Sequence, residues 1–331
     1  MTLIDNYNRI HDYVRISLID KCNLNCIYCN PSNTFTRFET NKSILSYEEL
    51  YRLIKILVRD LEIKKIRFTG GEPLIRKDVM KFFQMISSLK HQYGFEIGIT
   101  TNGTHLLDKL ESLRKFGVDL LNISLDTLNK TKFIAITGKD YFDETLSAIQ
   151  KSISLDFKSV KVNVVVIKNI NDSELNDFIE YFKSYPITIR FIEYMPFSGN
   201  QWDNSKFFSW DKMKTRIEEK YSLTEIESDR KVSKDFFVNG EQLKIGFISS
   251  ISDHFCDKCN RLRITATGKI KNCLFSNHSE MSLKPLLADG SISDDEIVKF
   301  IQSSLQSKWM KHPSTDELAT LNKNNMMSIG G

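Results

Sequence analysis

YVRISLIDKCNLNCIYC, residues 13–29, runs a short alternating segment straight into three cysteines. Successive side chains of a β-strand point to opposite faces, so Val14, Ile16 and Leu18 fall on one side, and Arg15 and Ser17 on the other. Cys22, Cys26 and Cys29 follow with the spacing C-x3-C-x2-C. They sit on the loop after a strand, and in α/β folds active sites assemble on the loops at the carboxyl ends of strands.

The same split recurs along the chain. KIRF (65–68), EIGIT (96–100), LLNIS (120–124), VKVNVVV (160–166) and TIRFIE (188–193) read as further strands. Arg67 and Thr69 oppose Ile66 and Phe68, and Gly98, Thr100 and Asn102 oppose Ile97 and Ile99. Asn122, Ser124 and Asp126 oppose Leu121, Ile123 and Leu125, while Lys161 and Asn163 oppose Val160, Val162 and Val164. Between these runs lie segments of helical period, near 47–61, 78–92, 105–116, 141–155 and 173–184. The first opens on Ser46 with Glu49 three places on, the signature of a capping box.

Alternation of strand and helix predicts a parallel sheet. Six such units are too few for the usual eight-stranded barrel, so the expected fold is α/β, an incomplete six-unit βα barrel or an open sheet, over residues 1–200. Beyond residue 200 the pattern changes to an α+β domain, 201–331. It has hairpins around Asn239-Gly240 and Thr267-Gly268 and a helix near 293–308.

In a parallel sheet covered by helices, the apolar faces meet the helices and the polar faces turn inward. Arg15, Arg67 and Lys161 would then share an interior, at a cost of several kcal/mol each unless a polar ligand occupies it. This implies a large anionic ligand. An antiparallel sheet with one wet face explains the alternation equally well.

The chain has 331 residues, with 46 basic against 42 acidic side chains and a net charge of +4, too balanced for wrapping nucleic acid or coating a membrane. The N-terminus lacks an apolar run of signal-peptide length, which implies a cytoplasmic protein. Clustered cysteines in a reducing compartment point to metal ligation rather than disulfides. Cys256, Cys259 and Cys273 form a second group, C-x2-C-x13-C, so all six cysteines fall into two triads. A four-iron cluster held by three thiolates leaves one iron open to a ligand. At the second triad His254 or His278 could instead complete a tetrahedral zinc site, and Lys269 and Lys271 could make that segment a nucleic-acid-binding module.

C-x3-C-x-aromatic-C, with Tyr28 as the aromatic residue, and the turn TGGEP at 69–73 resemble the radical S-adenosylmethionine superfamily. The second triad, the Asn-Arg-Leu-Arg run at 260–263 and the terminal Gly-Gly narrow the resemblance to the GTP 3′,8-cyclase family of molybdenum-cofactor biosynthesis. That resemblance implies two [4Fe-4S] clusters, on Cys22, Cys26 and Cys29 and on Cys256, Cys259 and Cys273. It implies S-adenosylmethionine bound by Tyr28, Gly71, Ser124 and Met195, and GTP bound by Arg15, Arg67, Thr100, Lys161, Arg261, Leu262 and Arg263. It further implies that Gly330 and Gly331 reach into the active site, that an electron donor serves the clusters, and that the protein is a homodimer with lyase activity. The nearest alternative is a radical S-adenosylmethionine enzyme acting on a peptide or another small molecule.

Overall fold

The computed structural model describes residues 1–29, 43–197, 200, 202–227, 232–276, 281–315, 317–318 and 326. Asymmetric strands and amphipathic helices resolve into one sheet with helices on its apolar face. The strands are β1 (Tyr13–Ser17), β2 (Lys65–Thr69), β3 (Glu96–Thr101), β4 (Leu120–Ser124), β5 (Ser159–Val166), β6 (Thr188–Glu193), β7 (Leu223–Ile226), β8 (Lys234–Val238), β9 (Lys244–Ile248), β10 (Arg261–Ile264) and β11 (Ile270–Lys271). The helices are α1 (Tyr47–Arg59), α2 (Val79–Tyr93), α3 (Leu110–Lys115), α4 (Lys130–Thr137), α5 (Phe142–Ile153), α6 (Leu175–Phe182), α7 (Trp210–Glu218), α8 (Lys284–Ala288) and α9 (Asp294–Leu305).

The sheet order is β11-β10-β1-β2-β3-β4-β5-β6-β9-β8-β7, so it does not close into a barrel. From β10 to β9 every neighbouring pair is parallel, which settles the parallel reading against the antiparallel one. Two of these parallel strands, β10 and β9, come from beyond residue 200 and dock on opposite edges of the six-unit array. The two foreseen hairpins are β8–β9 and β10–β11. Local pattern located those strands but carried no information on which edge each would join.

The apolar faces form the core as expected. Val14, Ile16, Ile66, Phe68, Ile97, Ile99, Leu121, Ile123, Val162, Ile189, Phe191, Ile245, Phe247 and Leu262 are all fully buried in one cluster with the inner faces of the helices. Helix α1 carries the capping box: Glu49 N–H donates to Ser46 Oγ at 3.1 Å, and Ser46 N–H donates to Glu49 Oε2 at 2.6 Å. Such a cap is worth about 1 kcal/mol and fixes where the helix starts, just after the segment that follows the first triad. The sequence pattern gives no sign of helices α4, α7 and α8.

Candidate active site

The loop after β1 is held by the glycine turn after β2. Leu18 N–H donates to Thr69 O at 2.9 Å, Gly71 N–H to Ile19 O at 2.8 Å, and Glu72 N–H to Lys21 O at 2.9 Å. A side chain on Gly71 would put its Cβ 2.8 Å from Cys22 N, so only glycine lets the two loops lie this close. From the other side, Asn25 and Ile27 N–H donate to Thr137 O and Ile136 O at the end of α4, both at 2.9 Å. Glu72 is fully buried and accepts from Thr101 Oγ1 at 2.8 Å and Asn102 N at 2.7 Å. That bonding brings Asn102 to the cysteine loop, where its amide donates to Asn23 Oδ1 at 2.9 Å and to Cys22 Sγ at 3.7 Å. Leu24 N–H also donates to Cys22 Sγ, at 3.4 Å.

Burial pushes the Cys22 thiol up to about 11 and the Cys29 thiol up to about 12. Such thiols stay neutral until a metal displaces their protons. Three of them on one short loop, with N–H groups aimed at sulfur, match the donor set of a cysteine-held cluster and the bonds that tune it. Tyr28, between the second and third cysteines, donates its hydroxyl to Asp126 Oδ2 at 2.7 Å, and Asp126 Oδ1 accepts from Val165 N at 2.8 Å. Burial lifts the Asp126 carboxyl to about 6.

The second triad faces the same space. One cavity is lined by all six cysteines. Cys256 opens a short 3-10 turn and Cys259 closes it, its N–H donating to Cys256 O at 3.2 Å. Burial pushes the Cys259 thiol up, but Lys308, the Arg261 N–H, and the Arg261 and Arg9 guanidinium groups bring it below its ordinary value. Among the described residues no three Cys, His, Asp or Glu are arranged to hold a single metal ion. His254 instead lies edge-on to His312, ring centres 5.3 Å apart, and His278 lies outside the described residues. A four-iron cubane spans more space than one zinc ion, which suits thiols ringing a cavity.

Most of the residues expected to bind ligand line that cavity: Arg15, Tyr28, Gly71, Thr100, Ser124, Met195, Arg261 and Arg263. Arg67 and Lys161 are not on its wall. Arg67 is 4% exposed and lies beneath it, donating from Nε to Tyr13 Oη at 2.9 Å and from Nη1 to Ile99 O at 2.8 Å. Gly98 makes room for that guanidinium, since a Cβ there would stand 2.8 Å from Arg67 Cζ. Leu262 is fully buried in the core, on the opposite face from Arg261 and Arg263, which leaves only its backbone for any ligand. Gly330 and Gly331 lie outside the described residues, while Met326, nearer the tail's start, lines the cavity and packs on Phe197, Phe275 and Leu318.

Sequence reasoning passed over Arg190, His312 and Tyr13. Arg190 lines the cavity from the inward-facing set of TIRFIE, so the parity that exposed Arg15 would have found it. His312 comes from a stretch with no periodic pattern.

The family model described as Radical SAM superfamily matches residues 16–182, and that described as Molybdenum Cofactor Synthesis C matches 187–314. The chain is 45% identical over 334 residues to molybdenum cofactor biosynthesis protein 1 of Dictyostelium discoideum, covering 99% of this chain and 52% of that protein. Against the mouse protein of the same name the identity is 40%, again over 51% of its length, so the chain spans about half of these relatives. It covers 94% of the GTP 3′,8-cyclase of Thermodesulfovibrio yellowstonii at 41% identity, with 92% of this chain matched. Among solved structures, Streptococcus suis SuiB bound to S-adenosylmethionine aligns with a TM-score of 0.65 at 15% identity, over 91% of this chain and 69% of SuiB, a likeness of fold. The chain belongs to the radical S-adenosylmethionine superfamily and, within it, to the family of GTP 3′,8-cyclases, whose cofactors are iron–sulfur clusters and S-adenosylmethionine.

Proposed function

We propose that the protein cyclises GTP to 3′,8-cyclo-7,8-dihydroguanosine 5′-triphosphate, the first step of molybdenum-cofactor biosynthesis. One observation carries this reading: two cysteine triads and the guanidinium groups of Arg15, Arg190, Arg261 and Arg263 surround a single cavity. A triphosphate needs several cations, and guanidinium groups offer paired donors to phosphate oxygens.

Cys22, Cys26 and Cys29 hold one cluster and Cys256, Cys259 and Cys273 the other. Bound there, the clusters and S-adenosylmethionine would supply one-electron reduction and radical hydrogen-atom abstraction at the ribose C3′. The protein's part is orientation and exclusion of water. Tyr28, fixed by Asp126, together with Gly71, Ser124 and Met195, holds S-adenosylmethionine near the first triad. Arg15, Thr100, Arg261 and Arg263 hold the nucleotide, with Arg67 and Lys161 adding positive charge from below. Phe197, Phe275 and Leu318, packed against Met195, Cys273 and Met326, give the cavity an apolar side that keeps water out. Gly330 and Gly331 belong to the same reading, as tail residues that act on the nucleotide.

Residues 1–200 carry the S-adenosylmethionine chemistry and 201–331 the second triad. An electron donor, a homodimeric assembly and a cytoplasmic location belong to the same reading. Among the described residues no helix is long and apolar enough to cross a membrane.

The test is anaerobic incubation of reconstituted protein with reductant, S-adenosylmethionine and GTP deuterated at C3′. The expected result is a product of the same elemental composition as GTP apart from its label, with deuterium recovered in 5′-deoxyadenosine. 5′-Deoxyadenosine without deuterium, with GTP unchanged, would refute the assignment.

A further inference from the structure

At the cavity floor four cations gather around one tyrosine, Tyr13. Arg67 Nε donates to Tyr13 Oη at 2.9 Å, and Arg15 Nε donates to the same oxygen at 3.4 Å. Over the ring of Tyr13 lie Arg261 Cζ at 5.5 Å, Lys65 Nζ at 5.5 Å and Arg15 Cζ at 5.9 Å from its centre, within reach of cation–π attraction. Three strands supply these groups: β1 gives Tyr13 and Arg15, β2 gives Lys65 and Arg67, and β10 gives Arg261. The register makes the meeting inevitable, since Tyr13 pairs with Lys65 and Arg261, and Arg15 with Arg67 and Arg263.

Cations this close repel one another, and in a buried site the repulsion is weakly screened. Something must hold them together in the absence of a phosphate. Glu96 engages Lys65 at 3.3 Å at the rim, but it is Tyr13 that touches all four. Tyr13 is 8% exposed and points into the sheet's polar side, so it is placed to act on the guanidiniums rather than on the ligand itself.

We propose that Tyr13 is a positioning residue for the triphosphate, its phenol oxygen and ring fixing Arg15, Arg67 and Arg261 in the arrangement that receives the phosphate chain. The inference rests on the proposed anionic substrate but concerns a residue to which no role has been attached. Burial alone would raise the Tyr13 phenol, yet Arg15, Arg67, Arg261 and Lys65 outweigh it and draw it well below its ordinary value, in keeping with an oxygen that serves as the resident acceptor for cations. A phosphate arriving above finds guanidiniums already oriented and loses less in ordering them.

Equilibrium binding of GTP, guanosine and inorganic tripolyphosphate to the reconstituted wild-type protein and to Tyr13→Phe tests this. Phenylalanine keeps the ring and removes only the oxygen. GTP and tripolyphosphate should each bind about tenfold more weakly, as expected for loss of one hydrogen bond to charged groups. Guanosine and S-adenosylmethionine affinities should stay as in the wild type, and turnover should show a raised KM for GTP with kcat largely kept. Wild-type affinity for tripolyphosphate in Tyr13→Phe, or an equal loss for guanosine, overturns the proposal. Tyr13→Leu, which removes both the oxygen and the ring, is measured in the same way if the phenylalanine variant does not fold, and wild-type tripolyphosphate affinity there also overturns it. A wild-type protein that binds tripolyphosphate in a Tyr13-dependent way but not GTP keeps the role of Tyr13 and sinks the substrate assignment. One that binds neither sinks both.

Discussion

Among single residues Lys161 shows what a cationic interior costs. It stands on the polar face of β5, beside Arg190 on β6, and is partly buried. Burial first, then Arg190, Lys65 and Arg67, pull its ammonium from 10.5 down to about 7, with Asp235 acting the other way. The folded state therefore binds no proton at this side chain between those values while the unfolded chain does, so this group lowers stability as pH falls from 10.5 to about 7 and changes little below that. A polyanion in the cavity reverses the balance, because an opposite charge favours the protonated form. Tripolyphosphate binding at pH 8 should take up protons, and its affinity should weaken as pH rises. Calorimetry in two buffers of different ionisation enthalpy measures the uptake, which should shrink in Lys161→Arg, a side chain charged throughout. Equal uptake in the two proteins would show that another group supplies it. Lys161, Arg15, Thr100 and Ser124 were all legible from strand parity alone, since a period of two assigns a face to every residue once one is known. Whether an inward-facing cation reaches the cavity wall or lies under it was not legible, because that depends on what its neighbours leave open, as Gly98 does for Arg67.

Elements were read well where one signal dominated and poorly where two competed. The strands β1 to β6 and the capped helix α1 agree with the pattern to within a residue or two. Helix α4, with the sequence KTKFIAIT, has no clear apolar stripe and carries β-branched residues, yet its carbonyl end is what anchors Asn25 and Ile27 of the cysteine loop. The edge on which β9 and β10 dock is a long-range choice that no local window contains. The loop after β1 and the turn after β2 were both visible as motifs, and their joint geometry explains why both are needed. Three backbone hydrogen bonds join them, and Gly71 is the point of closest approach. Gly71→Ala should push the Cys22 segment away and cost the first cluster. Anaerobic iron analysis should fall from about eight to about four atoms per chain, with reductive cleavage of S-adenosylmethionine lost. Full iron content in Gly71→Ala would mean the loop can yield without disturbing its thiols.

Across the whole molecule the two triads are far apart in sequence and must be held in register across one cavity. A buried polar network at the N-terminus does this for the second. Arg9 pairs with Asp5 at 2.6 Å, and it donates to Cys256 O at 2.6 Å, Trp309 O at 2.7 Å and Met310 O at 2.9 Å. His11 shares Asp5 Oδ2 at 3.0 Å, and burial, followed by the charge of Lys308, lowers its imidazole to about 4, so it is neutral at physiological pH. Lys308 in turn donates to Arg261 O at 3.1 Å and to Asn272 O, next to Cys273. One guanidinium thus ties residues near 5, 256 and 310 together, and the lysine beside it ties 261 and 272. Removing one partner of a buried pair costs about 3–5 kcal/mol because the other charge is left uncompensated. That loss is concentrated at the loop of Cys256 and spares the loop of Cys22, which has its own hydrogen bonds to the turn after β2. Arg9→Ala should therefore keep the first cluster and lose the second. The expected protein holds about four irons per chain and still cleaves S-adenosylmethionine to 5′-deoxyadenosine, but makes no cyclised nucleotide. Arg9→Lys keeps the charge without the fork that reaches three carbonyls, and should retain an intermediate amount of iron. If Arg9→Ala retains about eight irons, the second triad is positioned by its own turn and the sheet, and the N-terminal segment only covers the core.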